Sequence, residues 1–272
     1  MRFLGAVEGA TKIVIVGVPY EGKVVFRKGA KEGPDRIREL SDSIEEYSIY
    51  SHRALPPFND LGNIQLLTTK PEDMVECVKE AIGALIKSGK RVLVLGGDHT
   101  SSLGSILAHY ERHPNLRLLH FDAHLDRRND YLNESLNYAT VIKRAEDILG
   151  RERVYSFGIR SVAKEEEPFI NPNIFELEAL KPLTQIWSKI SSYPLYMTFD
   201  FDILDPAIFP AVTNPEPCGI NAQEAIKIIQ LVAPSLVGAD FVEYNASLDP
   251  TGRAGVLAAI LVRELLVNLQ NL

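Results

Sequence analysis

Two cysteines, Cys77 and Cys218, are all that this 272-residue chain carries, and they lie far apart. That excludes a disulfide framework and a cysteine-based zinc site, so both are read as small packing groups rather than redox centres. Nowhere do about 18 uncharged apolar residues run together, and no membrane-spanning segment is expected. Positive charge is also scarce: 29 Lys and Arg against 36 Asp and Glu give a formal net charge of −7. A phosphate backbone asks for a basic stripe, so nucleic acid is not an expected partner, whereas a small cation would be drawn to such a surface. The first residues form no charged-then-apolar leader, because Glu8 and Lys12 fall in or beside their apolar stretch; a cytoplasmic location is the expectation. Repeats, low-complexity tracts and linker-like stretches are absent too, and 1–272 is read as a single domain.

What is present is alternation. After a strand at 13–18, apolar runs and helical periodicity take turns from residue 70 onward, the pattern of a parallel sheet with helical crossovers. A helix opens at Pro71-Glu72-Asp73, with proline and acids in its first turn. Val75, Val78, Ala81, Ile82 and Leu85 line one face, and Gly89 ends it. Strands are expected at 92–95, 116–121, 154–158, 195–199 and 236–242, with a weaker one at 174–177. Helices are expected at 101–110, 138–149, 182–190, 222–232 and 254–269. Crossover helices must lie on the sheet's faces, which predicts an α/β fold, a three-layer αβα sandwich around a mostly parallel sheet. Long irregular stretches at 20–33, 127–137 and 206–220 are read as walls that shape a substrate.

Three clusters of carboxylates and imidazoles each follow the end of such a strand: Gly96-Gly97-Asp98-His99, Asp122-Ala123-His124-Leu125-Asp126 and Asp200-Phe201-Asp202. Open parallel sheets bind ligands just beyond the carboxyl ends of their strands, so clusters remote in sequence can share one cleft. A single aspartate there would read as a helix cap. Taken together these groups read as a binuclear metal site, because carboxylates beside a buried strand are costly unless paired, hydrogen-bonded or metal-bound. A set of carboxylates and imidazoles without thiolate suits a hard octahedral ion such as Mn²⁺ better than structural zinc. His120, two residues before Asp122, is read as a histidine that packs or holds a ligand rather than as a ligand itself. His52, His109 and His113 are assigned to the surface or to helices.

These segments resemble the ureohydrolase family of arginases and agmatinases along nearly the whole chain. The resemblance is carried by Gly96-Gly97-Asp98-His99-Thr100, by His120-Phe121-Asp122-Ala123-His124-Leu125-Asp126 and by Thr198-Phe199-Asp200-Phe201-Asp202-Ile203-Leu204-Asp205-Pro206. Arg27-Lys28-Gly29-Ala30, Gly33-Pro34, Ile37-Arg38, Asn214-Pro215-Glu216-Pro217 and Val242-Glu243 support it. It implies an arginase/deacetylase-like fold and two Mn²⁺ per chain, one on His99, Asp122, Asp126 and Asp200, the other on Asp122, His124, Asp200 and Asp202. Asp122 and Asp200 would bridge. The pair would activate a water that attacks a guanidinium carbon, Asp126 would orient that water and pass on its proton, and Glu243 would hold the guanidinium through parallel N–H bonds. A homo-oligomer, trimer or hexamer, is implied as well.

The chain departs from the family where a Ser-His-(Gly or Ala)-Thr segment usually stands, for Asn137-Tyr138-Ala139-Thr140 replaces it. A phenol with a reference pKa of about 10 takes the place of an imidazole near 6.5. Three accounts are open: Tyr138 donates the proton, solvent and Asp126 suffice, or the substrate differs. Asn137 and Tyr138 are expected to touch substrate beside Glu243, with Tyr138 shaping the pocket. Pro210-Ala211-Val212-Thr213-Asn214 also lacks the family's glycines, and Ala246 replaces a proline. The segments Asn214–Pro217 and Ala139-Thr140-Val141 lean towards agmatinases, so hydrolysis of agmatine to putrescine and urea is the expected activity. Arginase, guanidinobutyrase, guanidinopropionase and formimidoylglutamase activities stay open, as does a catalytically quiet metal-binding or regulatory relative, whereas a one-metal zinc deacetylase on a related fold would need adjacent paired histidines, which this sequence lacks.

Overall fold

The structure is a computed structural model and describes residues 1–269. Eight strands form one sheet: β1 (Ile13–Val18), β4 (Phe58–Asn63), β5 (Arg91–Gly96), β6 (Arg117–Phe121), β7 (Val154–Ile159), β8 (Ile174–Glu176), β9 (Leu195–Asp200) and β10 (Leu236–Val242). Their order is β4-β1-β5-β10-β9-β6-β7-β8, and every pair is parallel. A separate two-residue antiparallel pair joins β2 (Tyr47–Ser48) to β3 (Arg53–Ala54).

Both faces of the sheet are buried, and the period of two divides the strand residues between two cores. Ile13, Ile15, Leu93, Leu95, Leu119, Phe121, Met197 and Phe199 face one layer, which holds α1 (Gly33–Ser41), α5 (Leu180–Ile190), α6 (Ala222–Val232) and α7 (Arg253–Asn268). Val14, Val16, Val92, Val94, Leu118 and Tyr196 face the other, with α2 (Pro71–Lys87), α3 (Ser102–Arg112) and α4 (Val141–Leu149). The expected three-layer αβα sandwich is what forms.

The expectations missed β4 and α1. Phe-Asn-Asp-Leu-Gly-Asn has no apolar run, and it becomes a strand because it can pair along the edge of β1. A buried ion pair holds the two elements together: Arg38 on α1 donates from Nε to Asp60 Oδ2 at 2.8 Å and from a terminal nitrogen to Oδ1 at 3.0 Å. Tyr138–Thr140 forms a single 3-10 turn ahead of α4, so the helix expected from 138 begins at Val141.

The topology places the chemistry. Strands β5, β10, β9 and β6 are consecutive in the sheet, so the segments leaving their C-terminal ends emerge side by side. These segments carry His99, Glu243, the Asp200–Asp202 pair and the Asp122–Asp126 cluster.

Candidate metal centre

Each cluster folds by a local device that points side chains across the sheet's end. Asp98 caps the turn that follows β5, its Oδ1 accepting the N–H of Thr100 at 3.0 Å. Gly97 before it lies against the backbone of Tyr20. A Cβ there would come within 2.0 Å of the Tyr20 carbonyl oxygen, so only glycine permits this approach. Asp200 caps the next turn by accepting the N–H of Asp202 at 2.8 Å, while Asp202 Oδ1 accepts the N–H of Ala123 at 2.9 Å and ties the β9 cluster to the β6 cluster.

The expected six residues do meet. Around Nδ1 of His99 lie carboxylate oxygens of Asp122 at 3.1 Å, Asp126 at 3.1 Å and Asp200 at 3.3 Å. That nitrogen is buried yet makes no hydrogen bond. A buried polar atom surrounded by acceptors, none of them in hydrogen-bonding alignment, is what a ligand nitrogen looks like when a cation belongs between it and the oxygens. Beside it, Asp122, His124 and Asp202 offer a second converging set, with His124 Nδ1 2.7 Å from Asp202 Oδ2. Asp122 belongs to both sets. These oxygen and imidazole donors fit hard divalent ions.

Electrostatics point the same way. Burial, then the charge of Asp122, pushes Asp126 up to about 7. Burial followed by Asp202 and Asp122 raises Asp200, and burial followed by Asp98 raises Glu243. Burial opposes protonation of His99, yet the close carboxylates of Asp122, Asp126 and Asp200 lift it well above its ordinary value. So many acids packed together demand positive charge, which divalent cations supply. Two of the residues are also strained: Asp126 and Glu243 sit in the left-handed region at φ +54° and +66°. The fold holds both there, because the N–H groups of Ile142 and Lys143 bind the Asp126 carbonyl and the Glu243 N–H binds that of Gly97.

Sequence reasoning missed most of the groups that hold the ligands. Behind Asp122 runs a buried chain in which Arg127 donates to Ser156 Oγ at 3.0 Å and Ser156 meets His120 Nδ1 at 2.9 Å. His120 Nε2 then meets Asp122 Oδ2 at 2.8 Å. The Asp122 carboxylate can only accept, so the neutral ring carries its proton on Nε2, and Nδ1 accepts from the Ser156 hydroxyl. Burial keeps this imidazole neutral by lowering its pKa to about 4. His120 is thus placed as a holder of Asp122. Behind His99, Nε2 lies 3.0 Å from Thr198 Oγ1, which donates to Asp240 at 2.6 Å; Asp240 also receives Ser102 and Tyr196. A polar residue in the middle of an otherwise apolar buried strand, as Ser156, Thr198 and Asp240 are, was the signal available.

The cluster forms the floor of a cleft of about 260 Å³, which Glu243, Tyr138, Arg128, Tyr131, Asn214 and Glu216 also line. Loops 127–137 and 206–220 therefore supply walls. The stretch 20–33, expected as a third, contributes no lining residue and is held to Asp98 through the N–H of Gly22 at 2.7 Å. Tyr138 faces the cleft half-buried with its ring edge-on to Tyr131 at 5.9 Å. Burial, then Tyr131, then the charges of Glu243 and Asp126 raise its pKa, so it is a neutral phenol. Asn137 does not take up the expected substrate contact. Its side chain caps the turn by accepting from Ala139 and donating to the Tyr131 carbonyl, and it lies outside the lining. Cys218 is exposed in a loop rather than packed, and Cys77 is half-buried. His109 is on α3 but buried, against Tyr196.

A profile described as the arginase family matches residues 11–267. The agmatinase of Bacillus subtilis strain 168 is 37% identical over 262 residues, covering 93% of this chain and 90% of that protein. Among solved structures, the agmatine ureohydrolase of Thermoplasma volcanium superposes with a TM-score of 0.90 at 29% identity, over 99% of this chain and 94% of the other. Formimidoylglutamase from Bacillus subtilis has a TM-score of 0.87 at 23% identity, over 96% and 88%, a likeness of fold alone.

Proposed function

This chain belongs to the arginase family, and from that premise we propose that it is a manganese-dependent hydrolase that splits agmatine into urea and putrescine. The observation that carries the reading is the unpartnered Nδ1 of His99 within 3.3 Å of three carboxylates, with Glu243 on the same cleft. The agmatinase and agmatine ureohydrolase named above support the choice of substrate.

The residues that would hold two divalent ions are His99, Asp122, His124, Asp126, Asp200 and Asp202. Bound there, such a pair supplies Lewis acidity that brings the pKa of water towards neutrality and makes hydroxide available at neutral pH. The side chains do the rest. Glu243 has one oxygen occupied by the His99 N–H at 2.8 Å, so its other oxygen is the acceptor that fixes a guanidinium N–H over the cluster. Asp126, on the cleft beside His99, is placed to take a proton from the attacking water and return it to the departing amine. Water adds to the guanidinium carbon, the bond from that carbon to the alkyl nitrogen breaks, and the amine leaves with the returned proton. Tyr138, a neutral phenol, shapes the wall and offers a hydrogen bond rather than a readily exchanged proton.

Manganese-loaded protein assayed on agmatine, arginine, guanidinobutyrate, guanidinopropionate and formimidoylglutamate for urea or formamide tests the reading. Urea from agmatine above all others is expected. Inertness towards the whole panel would end it in favour of a quiet metal-binding relative.

A further inference from the structure

We infer that Glu216 is the cleft's anchor for a distal ammonium group, which restricts the substrate to guanidino compounds carrying a second positive charge. This rests on the hydrolase reading above and adds which end of the substrate the far wall selects.

The carboxylates lining the cleft are not equivalent. Asp126, Asp200 and Asp202 belong to the cation cluster, and Glu243 is bound to the His99 N–H. Glu166 has both oxygens engaged by the N–H groups of Arg127 at 2.7 Å and Ala163 at 2.9 Å. Outside the cation cluster, and among the described residues, only the Glu216 carboxylate lines this cleft with no hydrogen bond. Its nearest cationic neighbour is Nε2 of His124 at 3.7 Å, beyond hydrogen-bonding reach. Its side chain is 32% exposed, open to a ligand from the mouth.

Arg128, the lining arginine, is already neutralised. It pairs with Glu165 at 3.1 Å and Glu166 at 3.9 Å and stacks over the Tyr131 ring at 4.5 Å. A substrate with a distal carboxylate would find its counter-charge taken, whereas a distal ammonium would find an unpaired acid.

The acid is also held in place. Arg160 donates to the carbonyls of Gly158 at 3.1 Å, Asp202 at 2.6 Å, Glu216 at 3.0 Å and Pro217 at 2.9 Å. One guanidinium thus clamps the backbone of Glu216 to that of a candidate metal ligand. The base of the same loop is closed by the pairing of Leu204 with Ile220 and by the Gly219 N–H on Asp205 Oδ2 at 3.1 Å. An anchor fixed relative to the reacting end measures chain length as well as charge.

The test compares agmatine with n-pentylguanidine, in which a methyl replaces the ammonium, on wild type and Glu216→Gln. Initial rates of urea release and the rise in melting temperature with each ligand are both read. Wild type is expected to favour agmatine by about 10-fold or more in kcat/KM, and Glu216→Gln to remove about 10-fold from agmatine, mainly in KM, while changing pentylguanidine less than about 2-fold. Agmatine's stabilising advantage over pentylguanidine should vanish in the variant. Equal losses on both ligands would overturn the inference and assign Glu216 to orienting His124; no loss on either would overturn it outright. If wild type releases urea from neither, the hydrolase reading fails, and the thermal comparison still decides for or against the ammonium site.

Discussion

The backbone N–H of His99 donates to Oε1 of Glu243 at 2.8 Å, so the loop that presents the His99 imidazole to the carboxylate cluster also orients a carboxylate of the cleft. In Glu243→Gln the amide oxygen must keep that bond, which turns the NH₂ towards the cleft and sets a donor against a donor. Expected is a fall in kcat/KM of about 100-fold or more, with manganese content unchanged. Steady-state kinetics beside metal analysis would check it, and a loss under about 3-fold would remove Glu243 from substrate binding.

Ser156 links Arg127 to His120 and holds the ring whose other nitrogen meets Asp122. Ser156→Ala leaves the imidazole's Nδ1 without the group that orients the ring. Metal affinity should weaken about 10-fold, since groups that orient a ligand typically contribute that much or more. Titration with Mn²⁺ followed by calorimetry reads the change; unaltered affinity would make the chain a packing feature only.

Tyr138 stands where an imidazole is usual, and as a neutral phenol with a raised pKa it is a poor proton source near pH 7. Tyr138→Phe should retain activity within about 10-fold. A loss of 100-fold, with a pH profile whose alkaline limb disappears, would instead make it the donor.

His109 is buried beneath the sheet against Tyr196, and burial lowers its pKa to about 4 from 6.5. As pH falls the unfolded chain binds that proton first, so stability is lost between pH 6.5 and about 4 and then levels off. In chelator, wild type should lose about 2 kcal/mol more than His109→Gln between pH 7 and 4.5, measured by urea unfolding. Equal losses would show that this imidazole titrates normally.

The candidate ligand cluster was legible because Asp122-x-His124-x-Asp126 and Asp200-x-Asp202 concentrate charge where a buried strand ends, a pattern with few other physical explanations. The six sheet strands between the two edges were legible for a similar reason, since strands covered on both faces are written as apolar runs, and the edge strand β8 showed only as a weaker one. The edge strand β4 was not, as its partner supplies only one side and Phe-Asn-Asp-Leu-Gly-Asn carries no such run. Asn137 misled because sequence cannot say whether an amide faces a cleft or caps its own turn. The Thr198–Asp240 and Arg127–Ser156–His120 chains, like the Arg160 bonds to Asp202, Glu216 and Pro217, join residues 29 to 57 positions apart, and no periodicity records such pairings.

The most direct test is a crystal of this protein grown with Mn²⁺ and measured at the manganese absorption edge. The account predicts two anomalous peaks about 3.5–4 Å apart, with Asp122 touching both and Nδ1 of His99 touching one. A single peak, or manganese bound away from these six side chains, would contradict it.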